Sequence, residues 1–309
     1  DGNRWTDILQ VGLPGTDSKW IKDPGKSSYP LTKAVPEAVY QNALVNVCHE
    51  SPSLVNVIGD ERAELLAFSQ GYLALGIASS KKGEDWQMLP ISLKDENKFK
   101  MYSHGLGAGD INGDGLADVI ERSGWWEQPK NWDRTTPWTY HPYPFSPGKG
   151  GAQMFAFDID GDGDNDVVTA MDGHGYGLSW FEQIEDGREI TFKEHTVMTN
   201  RMEDNPYGVS FSQLHAMSMA DIDNDGIPDI VTGKCYYAHN GHDPGAEDPA
   251  VLYWFKTQRQ SDGSAELVPY KIDDNSGVGR QITTGDLNGD GKMDIVTSNK
   301  KGVFAFIQN

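Results

Sequence analysis

The sequence has few cysteines, no long apolar run and no segment that divides it. Its two cysteines, Cys48 and Cys235, allow at most one disulfide and no cysteine-based metal site, so two buried free thiols are the simpler expectation. A membrane-spanning helix needs about 20 continuous apolar residues, and no such stretch is present, so we expect no membrane insertion. Because no proline-rich linker, low-complexity tract or long charge run interrupts the chain, we predict a single domain over residues 1–309.

Basic residues are also scarce. The chain has 26 lysines and arginines against 46 aspartates and glutamates, a formal net charge of -20. Nucleic acids and anionic membranes require a basic surface, so we expect neither as a partner. Glycine (35), proline (16) and aromatic residues (10%) are plentiful, which is typical of many short strands joined by tight turns. The composition therefore predicts an all-β fold.

Much of the acidity lies in a nine-residue loop that occurs four times without gaps. Each copy has Asp at position one, Asp or Asn at three, Asp at five, Gly at six and Asp at nine. Alternate side chains of such a loop converge on one point, and Ca²⁺ takes about six to eight oxygen ligands of this kind. Glycine permits the positive φ of the bend. The predicted ligands are Asp110, Asn112, Asp114 and Asp118; Asp158, Asp160, Asp162 and Asp166; Asp221, Asp223, Asp225 and Asp229; and Asp286, Asn288, Asp290 and Asp294.

Two weaker copies extend the series. The first lacks its opening positions, so we expect the motif to begin upstream of the sequence as given. Its predicted calcium ligands are Asp1, Asn3 and Asp7. The second, over residues 56–64, has Ile58 at position three and Glu61 in place of glycine, so we expect it to bind calcium poorly or not at all. In total we predict about four to five structural calcium sites.

The loop opens like an EF-hand, but an EF-hand needs a Glu at position twelve and flanking helices. Here position nine closes the loop and β-branched residues follow, so the loop is predicted to join two strands. The alternative, ordinary Asp-Gly hairpin turns, explains one such loop better than four identical ones.

The spacing of the loops predicts a β-propeller. Their first positions, residues 56, 110, 158, 221 and 286, lie 54, 48, 63 and 65 residues apart, close to the length of a four-stranded blade. Each blade is interpreted as strands A, B, C and D, with the acidic loop between A and B and an aromatic cluster in C. Six repeats are visible, or seven blades if one lies upstream of Asp1. The last blade ends at strand C, so we expect upstream residues, or another domain or chain, to complete the ring.

With these loops the chain resembles the FG-GAP and VCBS repeat family of β-propellers. The resemblance implies the fold over nearly the whole chain, and a secreted, periplasmic or cell-surface protein. It leaves function open, since the family includes adhesion heads, lectin-like modules and enzymes. The strings CHESP, YSHGLGAGD, GHGYGLSWFEQ and FSQLHAMSMAD further resemble the propeller of aldos-2-ulose dehydratase and, more distantly, propeller polysaccharide lyases. The cupin domains of the dehydratase are absent from the sequence.

The repeat register also predicts a site. Strand A lines the channel of a propeller, and its start lies on the face opposite the acidic loops. The residues six positions before each loop should therefore meet at one channel mouth, and they are Glu50, His104, Ala152, His215 and Arg280. The B–C turns on that face add His174, Tyr176, Lys234, Tyr237 and His239. Convergent titratable groups in a concavity indicate a functional site. The alternative is that they only hydrate a wide pore.

If the site is catalytic, it suits a carbon–oxygen lyase or dehydratase acting on a sugar by β-elimination. His215 or His104 would be the general base. Arg280, with Lys234, would stabilise the enolate-like charge. Tyr176 or Tyr237 would protonate the leaving oxygen. No G-x-S-x-G motif is present, and Glu50 is the only carboxylate of the ring, so nucleophilic hydrolysis and a two-carboxylate glycosidase are disfavoured.

A variant has a transition metal such as Zn²⁺ bound by histidines and acting as a Lewis acid. Its predicted ligands are His104, His174, His215 and His239. The alternatives to an enzyme are a carbohydrate- or protein-binding propeller without catalysis and a calcium-dependent adhesion module. His141 and His195 are expected to be solvent-exposed in edge strands. The strand C tryptophans (Trp20, Trp126, Trp180 and Trp254) are expected to pack between blades.

Overall fold

The computed structural model describes residues 7–22, 40–60, 62–79, 84–186 and 189–309. Within them the chain forms β-strands and two short 3-10 helices, Met202–Asp204 and Ala238–Gly241, which confirms the all-β prediction. The residues fall into two compact units, described separately below. No helix in these ranges is long and apolar enough to cross a membrane. Three residues of the predicted loops, Asp1, Asn3 and Glu61, lie outside the described residues.

The first unit comprises residues 1–103 and 129–138. Its strands are β1 (Ile8–Gln10), β2 (Lys19–Ile21), β3 (Tyr40–Asn42), β4 (Ser53–Val55), β5 (Glu64–Ser69), β6 (Tyr72–Ile77) and β7 (Gln87–Pro90). They form two antiparallel sheets, β1-β2-β3 and β4-β5-β6-β7, in chain order. Leu44, Val47 and Leu65 are buried between the two sheets, with Leu9 and Trp86 packed against them. Both faces of this interface are apolar because alternate strand residues point towards it.

The second unit comprises residues 104–128 and 139–309. Its strands are β8 (Leu106–Gly109), β9 (Asp118–Glu121), β10 (Gly124–Glu127), β11 (Thr139–Pro142), β12 (Gln153–Phe157), β13 (Asp166–Ala170), β14 (Leu178–Asp186), β15 (Glu189–Met198), β16 (Met217–Ala220), β17 (Asp229–Gly233), β18 (Leu252–Arg259), β19 (Ala265–Asp273), β20 (Ile282–Gly285), β21 (Asp294–Asn299) and β22 (Gly302–Phe306). Every acidic loop of this unit lies between the first and second strand of a set, as predicted. The sets β8–β11, β12–β15 and β16–β19 have four strands each, and β20–β22 has three.

The sets β8–β11 and β12–β15 join into one eight-stranded sheet through a parallel contact between their first strands, β8 and β12. In this pairing Met154 lies opposite Gly107. A Cβ atom at Gly107 would stand 1.8 Å from the Met154 carbonyl oxygen, so only glycine allows the two backbones to approach this closely. The repeat pattern alone carries no signal for this contact.

The core of the second unit lies between adjacent strand sets. Trp180, 3% exposed, packs with Phe157 and Val168 of its own set against Phe211 and Phe255 of the next. This confirms the predicted position of a strand C tryptophan between blades. Between β8–β11 and β12–β15 the buried tryptophan is Trp125, not the predicted Trp126. The side chain of Trp126 is also buried, and its ring lies 4.8 Å from that of Tyr140.

The four complete acidic loops share one backbone conformation. Position six has a positive φ in each copy, and so does position four. The residues at position four are Gly113, Gly161, Asn224 and Gly289, and those at position six are Gly115, Gly163, Gly226 and Gly291. Glycine and asparagine are the residue types that adopt this region most readily, which explains why each loop has glycine or asparagine at position four and glycine at position six.

Position nine of each loop is a buried carboxylate that accepts two backbone N–H groups. One donor is at position two of the same loop and the other is in or just after the third strand, at 2.8–2.9 Å in every copy. The loop donors are Ile111, Ile159, Ile222 and Leu287, and the strand donors are Gln128, Gln183, Thr257 and Gln308. In the first unit Glu64 likewise accepts from Val57 and Ile58, at 2.8 and 3.1 Å. Position nine therefore fastens each loop to its sheet.

His141 and His195 are not solvent-exposed as predicted. Both are half-buried, and each stacks on the strand C tryptophan directly opposite it in the antiparallel register and bonds to a strand C glutamate. The pairs are His141 with Trp125 (centroids 4.1 Å apart) and Glu127 (2.8 Å), and His195 with Trp180 (4.2 Å) and Glu182 (2.6 Å). The prediction was wrong because an edge strand still has its cross-strand partner on one side.

Candidate functional site

Three histidines of the second unit meet at the starts of its inner strands. His104 precedes β8, His215 precedes β16, and His174 lies in the turn between β13 and β14. One ring nitrogen of each lies within 4.8 Å of the others. The Nε2 atoms of His104 and His215 are 3.1 Å apart, and all three rings meet edge to face at centroid distances of 4.7–5.1 Å. His104 and His215 are buried and His174 is half-buried.

The backbone around Gln213 holds two of these histidines, His174 and His215, in place. Gln213 has a left-handed φ of 62° and donates its N–H to the carbonyl of Gly175, in the turn that carries His174, at 2.6 Å. Its carbonyl accepts from the N–H of His215 at 2.8 Å and from that of Cys235 at 2.9 Å. One residue thus connects the strand start at His215 to two B–C turns, which explains its strained conformation.

Asp243 joins the cluster from the long turn between β17 and β18. Its Oδ2 lies 3.0 Å from His174 Nδ1 and its Oδ1 lies 2.9 Å from His239 Nδ1. The imidazole rings of His174 and His239 stack with their centroids 4.3 Å apart. A carboxylate at Nδ1 keeps the proton there and leaves the Nε2 lone pair of His174 available. Sequence reasoning missed Asp243, since the only signal for it is its spacing four residues after His239.

The environment keeps His174 neutral. Burial lowers its pKa, and the neighbouring imidazole of His215 lowers it further against the opposing effect of Asp243. Burial alone would raise the pKa of Asp243, but the hydrogen bonds from His239 and His174 outweigh it, so the pKa is lowered. The pair therefore consists of a neutral imidazole and an ionised carboxylate around neutral pH.

The nitrogen donors suit a transition metal. Two histidine nitrogens at about 2.0–2.1 Å from a tetrahedral zinc are about 3.3 Å apart. The observed 3.1 Å between His104 and His215 is close to that separation. Imidazole ligands are preferred by zinc, copper, iron and nickel and not by calcium. The residues His104, His174 and His215 therefore fit the predicted metal, with Asp243 orienting one ligand.

The other predicted site residues of the second unit have separate surroundings. Lys234 is fully buried, its Nζ donates to the carbonyl of Ala246 at 3.1 Å, and burial lowers its pKa. Tyr237 is exposed, and its carbonyl accepts from Lys300 Nζ at 2.8 Å. Arg280 is exposed and its carbonyl accepts from the side chain of Gln153 at 3.4 Å. Ala152 is buried in the apolar core.

Tyr176 belongs to a group of oxygen atoms around Gly245. A Cβ atom at Gly245 would lie 2.6–2.7 Å from the Tyr176 hydroxyl, the Ser212 hydroxyl and a carboxylate oxygen of Asp248. The hydroxyl of Tyr176, the predicted general acid, thus lies on the same side of Gly245 as a hydroxyl and a carboxylate. Glu50 lies in the first unit, where it is buried and its N–H donates to the Ser103 carbonyl at 2.8 Å. Its role stays a prediction.

The acidic loops present clustered carboxylates. Carboxylate oxygens of Asp158, Asp160 and Asp166 lie within 4.8 Å of one another, as do those of Asp221, Asp223 and Asp225. At position nine, burial raises the pKa to about 7 in Asp118 and Asp166 and to about 6 in Asp229, and neighbouring carboxylates add to the effect. A bound cation would favour the ionised forms, so the donor set fits calcium, whose ligands are oxygens.

Both cysteines are free and buried, as expected. Burial raises the pKa of Cys48, and that of Cys235 to about 11, so neither is present as a reactive thiolate at neutral pH.

Comparisons with known proteins identify the repeat and the fold. Residues 158–232 match the model of an FG-GAP-like repeat and residues 278–303 that of an FG-GAP repeat. No curated protein matches the chain. A solved lectin from Agrocybe aegerita, which recognises non-reducing terminal N-acetylglucosamine, is 18% identical over 98% of this chain and 73% of its own, with a TM-score of 0.55. A mutant form of AofleA from Arthrobotrys oligospora is 13% identical over 94% of this chain and 76% of its own, with a TM-score of 0.49.

At such identities the likeness concerns the fold alone. The comparisons do not support the resemblance to aldos-2-ulose dehydratase or to polysaccharide lyases. The chain therefore contains FG-GAP repeats and has an all-β fold of the propeller type.

Proposed function

We propose that the protein binds a carbohydrate at a transition-metal centre held by His104, His174 and His215. The observation that carries this proposal is the convergence of three imidazole nitrogens with one histidine braced by a carboxylate, Asp243. The three edge-to-face imidazoles place one nitrogen each within 4.8 Å of the others, and the nitrogens of His104 and His215 are 3.1 Å apart, so they form a set of nitrogen donors around one point.

The carbohydrate is the ligand class that best suits such a centre. A metal with three protein ligands retains an open position, where it binds an oxygen atom such as a sugar hydroxyl or carboxylate. Exposed Tyr237 and half-buried Tyr176 on the adjoining turns offer aromatic surface and hydroxyl groups, which sugars use for stacking and hydrogen bonding. The A. aegerita structure, which shares the fold, is that of a sugar-binding lectin.

The test combines metal content with glycan binding. Protein loaded with Zn²⁺ and desalted should retain one equivalent and bind one class of sugars on a glycan panel, and both properties should be lost with His174→Ala or His215→Ala. The matched control is His242→Ala, which replaces an exposed histidine in the long turn between β17 and β18 and should retain both properties. The proposal would be contradicted if His174→Ala and His215→Ala, shown to be folded by circular dichroism, still retained zinc and bound the sugar.

A carbon–oxygen lyase is the second candidate, because the lowered pKa of His174 supplies a neutral imidazole base in the cluster. Here the chain's own residues would orient the sugar and accept the proton at His174 Nε2. An unsaturated sugar product, formed from uronic-acid polysaccharides or keto-sugars and lost in His174→Gln, would favour the lyase over a binding protein. Sugar binding without turnover would favour the lectin-like function.

We also propose that the acidic loops bind calcium and stabilise the sheets, and that the protein is secreted, periplasmic or on the cell surface. Extracellular modules bind calcium with dissociation constants of about 10⁻⁴–10⁻³ M, which suits loops with exposed carboxylates. Calcium titration by calorimetry and the rise in Tm with calcium test the first part. No heat of binding and no shift in Tm would contradict it.

A further inference from the structure

One position at the end of strand C lies next to the acidic loop in the strand register of each set of the second unit. It lies opposite position nine of the loop. The residue that follows it donates its backbone N–H to the position-nine carboxylate. In the four sets of the second unit this position is held by Glu127, Glu182, Lys256 and Ile307. Three of the four sets thus have an acidic or apolar residue here, and only the set β16–β19 has a basic one.

Lys256 extends into its own loop. Its Nζ forms ion pairs with Asp225, at 2.8 Å, and with Asp223. These are positions five and three of the loop, the same oxygens that the calcium prediction requires. Lys256 is half-buried, whereas both aspartates are exposed residues, so the contact lies at the surface and engages two carboxylates at once.

The other loops differ. Arg259, also on β18, reaches the loop 158–166, but its hydrogen bonds go to the backbone carbonyls of Asp158 and Ile159, with the Asp158 carboxylate at 3.5 Å. Asp160 and Asp166 of that loop form no ion pair within the described residues. Nor does any basic side chain in those residues pair with a carboxylate of the loops 110–118 and 286–294.

We propose that the ammonium group of Lys256 is the resident cation of the loop 221–229, so that this loop folds without calcium while the loops 110–118, 158–166 and 286–294 take it. A calcium ion and the ammonium group would compete for the same two carboxylate oxygens, and the like charges would repel. The ammonium group is attached to the chain and is therefore always present at the loop, so it has an entropic advantage over a free calcium ion. The third loop thus departs from the prediction of four equivalent sites.

Calcium stoichiometry tests this inference, measured by native mass spectrometry and calorimetry. Lys256→Met keeps the apolar stem and removes the charge, so it should bind one more calcium ion than the wild type. Lys271→Met, an exposed lysine on the neighbouring strand β19, is the matched control with the same charge change and should bind the wild-type number. Asp225→Asn should remove the additional ion from Lys256→Met and no ion from the wild type.

Hydrogen exchange on the wild type gives an independent readout should Lys256→Met fail to fold. With chelator, exchange should rise in the three other loops and stay unchanged in residues 221–229. Loss of one calcium from the wild type on Asp225→Asn, or a calcium-dependent exchange in residues 221–229, would overturn the inference. It rests on the proposed calcium binding of the other loops, and failure of that proposal is distinguishable because the wild type would then bind no calcium at all.

Discussion

The buried carboxylate at position nine should be a main source of stability that is independent of calcium, and Asp229 is the best place to measure it. Its two oxygens accept N–H groups from Ile222 and Thr257, each at 2.9 Å, and its side chain is fully buried. Hydrogen bonds to ionised groups contribute about 1.5–3 kcal/mol each, so Asp229→Ala should lower the free energy of unfolding by about 3–6 kcal/mol.

Asp229→Asn separates the hydrogen bonds from the charge. Asparagine keeps one oxygen acceptor and turns an N–H donor towards the other partner, so about one hydrogen bond is lost. Burial raises the pKa of Asp229 to about 6, so the ionised carboxylate is itself disfavoured, and the neutral amide avoids that cost. We therefore expect a smaller loss for Asp229→Asn, about 1–3 kcal/mol.

The assay is urea unfolding followed by tryptophan fluorescence, in chelator, so that metal ligation does not contribute. Exposed Asp274→Ala is the control and should stay within about 0.5 kcal/mol of the wild type. The opposite result would be an Asp229→Ala variant whose free energy of unfolding equals that of the wild type in chelator and is lower only with calcium present. Position nine would then stabilise the fold through a metal and not through its hydrogen bonds.

Three further predictions concern the inner strands and the histidine cluster. Gly107→Ala should abolish folding or severely lower the Tm, because its Cβ would stand 1.8 Å from the Met154 carbonyl oxygen. Gly113→Ala has open space around its Cβ and only the strain of its positive φ, so it should lower the Tm much less. In metal-free protein His174 should contribute a loss of stability as the pH falls below about 6.5, because the unfolded state then binds a proton at His174 that the folded state, with its lowered pKa, does not. The raised pKa values of Asp118, Asp166 and Asp229 act in the opposite direction, so the contribution of His174 is measured as the difference between the wild type and His174→Gln in a urea series from pH 7.5 to 5.5. Asp243→Asn should weaken zinc binding about 10–100-fold in a competition assay, and an unchanged affinity would contradict its orienting role.

The arrangement separates two kinds of donor side chains. The acidic loops lie between the first and second strands of each set, and the histidines lie before the first strands and in the turns between the second and third. Oxygen donors and nitrogen donors are thus placed at different ends of the same strands. Chelators of different selectivity should therefore affect stability and ligand binding separately.

The sequence by itself determined the strand order and the loop positions. The acidic motif is local, its glycines meet the φ requirements of positions four and six, and the β-branched residues after Asp118 or Asp294 read as strands without help from the rest of the chain. The fixed spacing of the motif also identified His104 and His215 as equivalent residues, and the structure places them together.

The tertiary structure decided the contacts that depend on register between strands. Position nine bonds to a strand C residue 10–28 positions later, Lys256 enters a loop 31–33 positions earlier, and His195 lies against Trp180 only once the strands are aligned. None of these partners occurs at a spacing that a local pattern carries. A one-residue change in register would turn each side chain to the opposite face of its sheet, so these interactions exist only in the folded sheet.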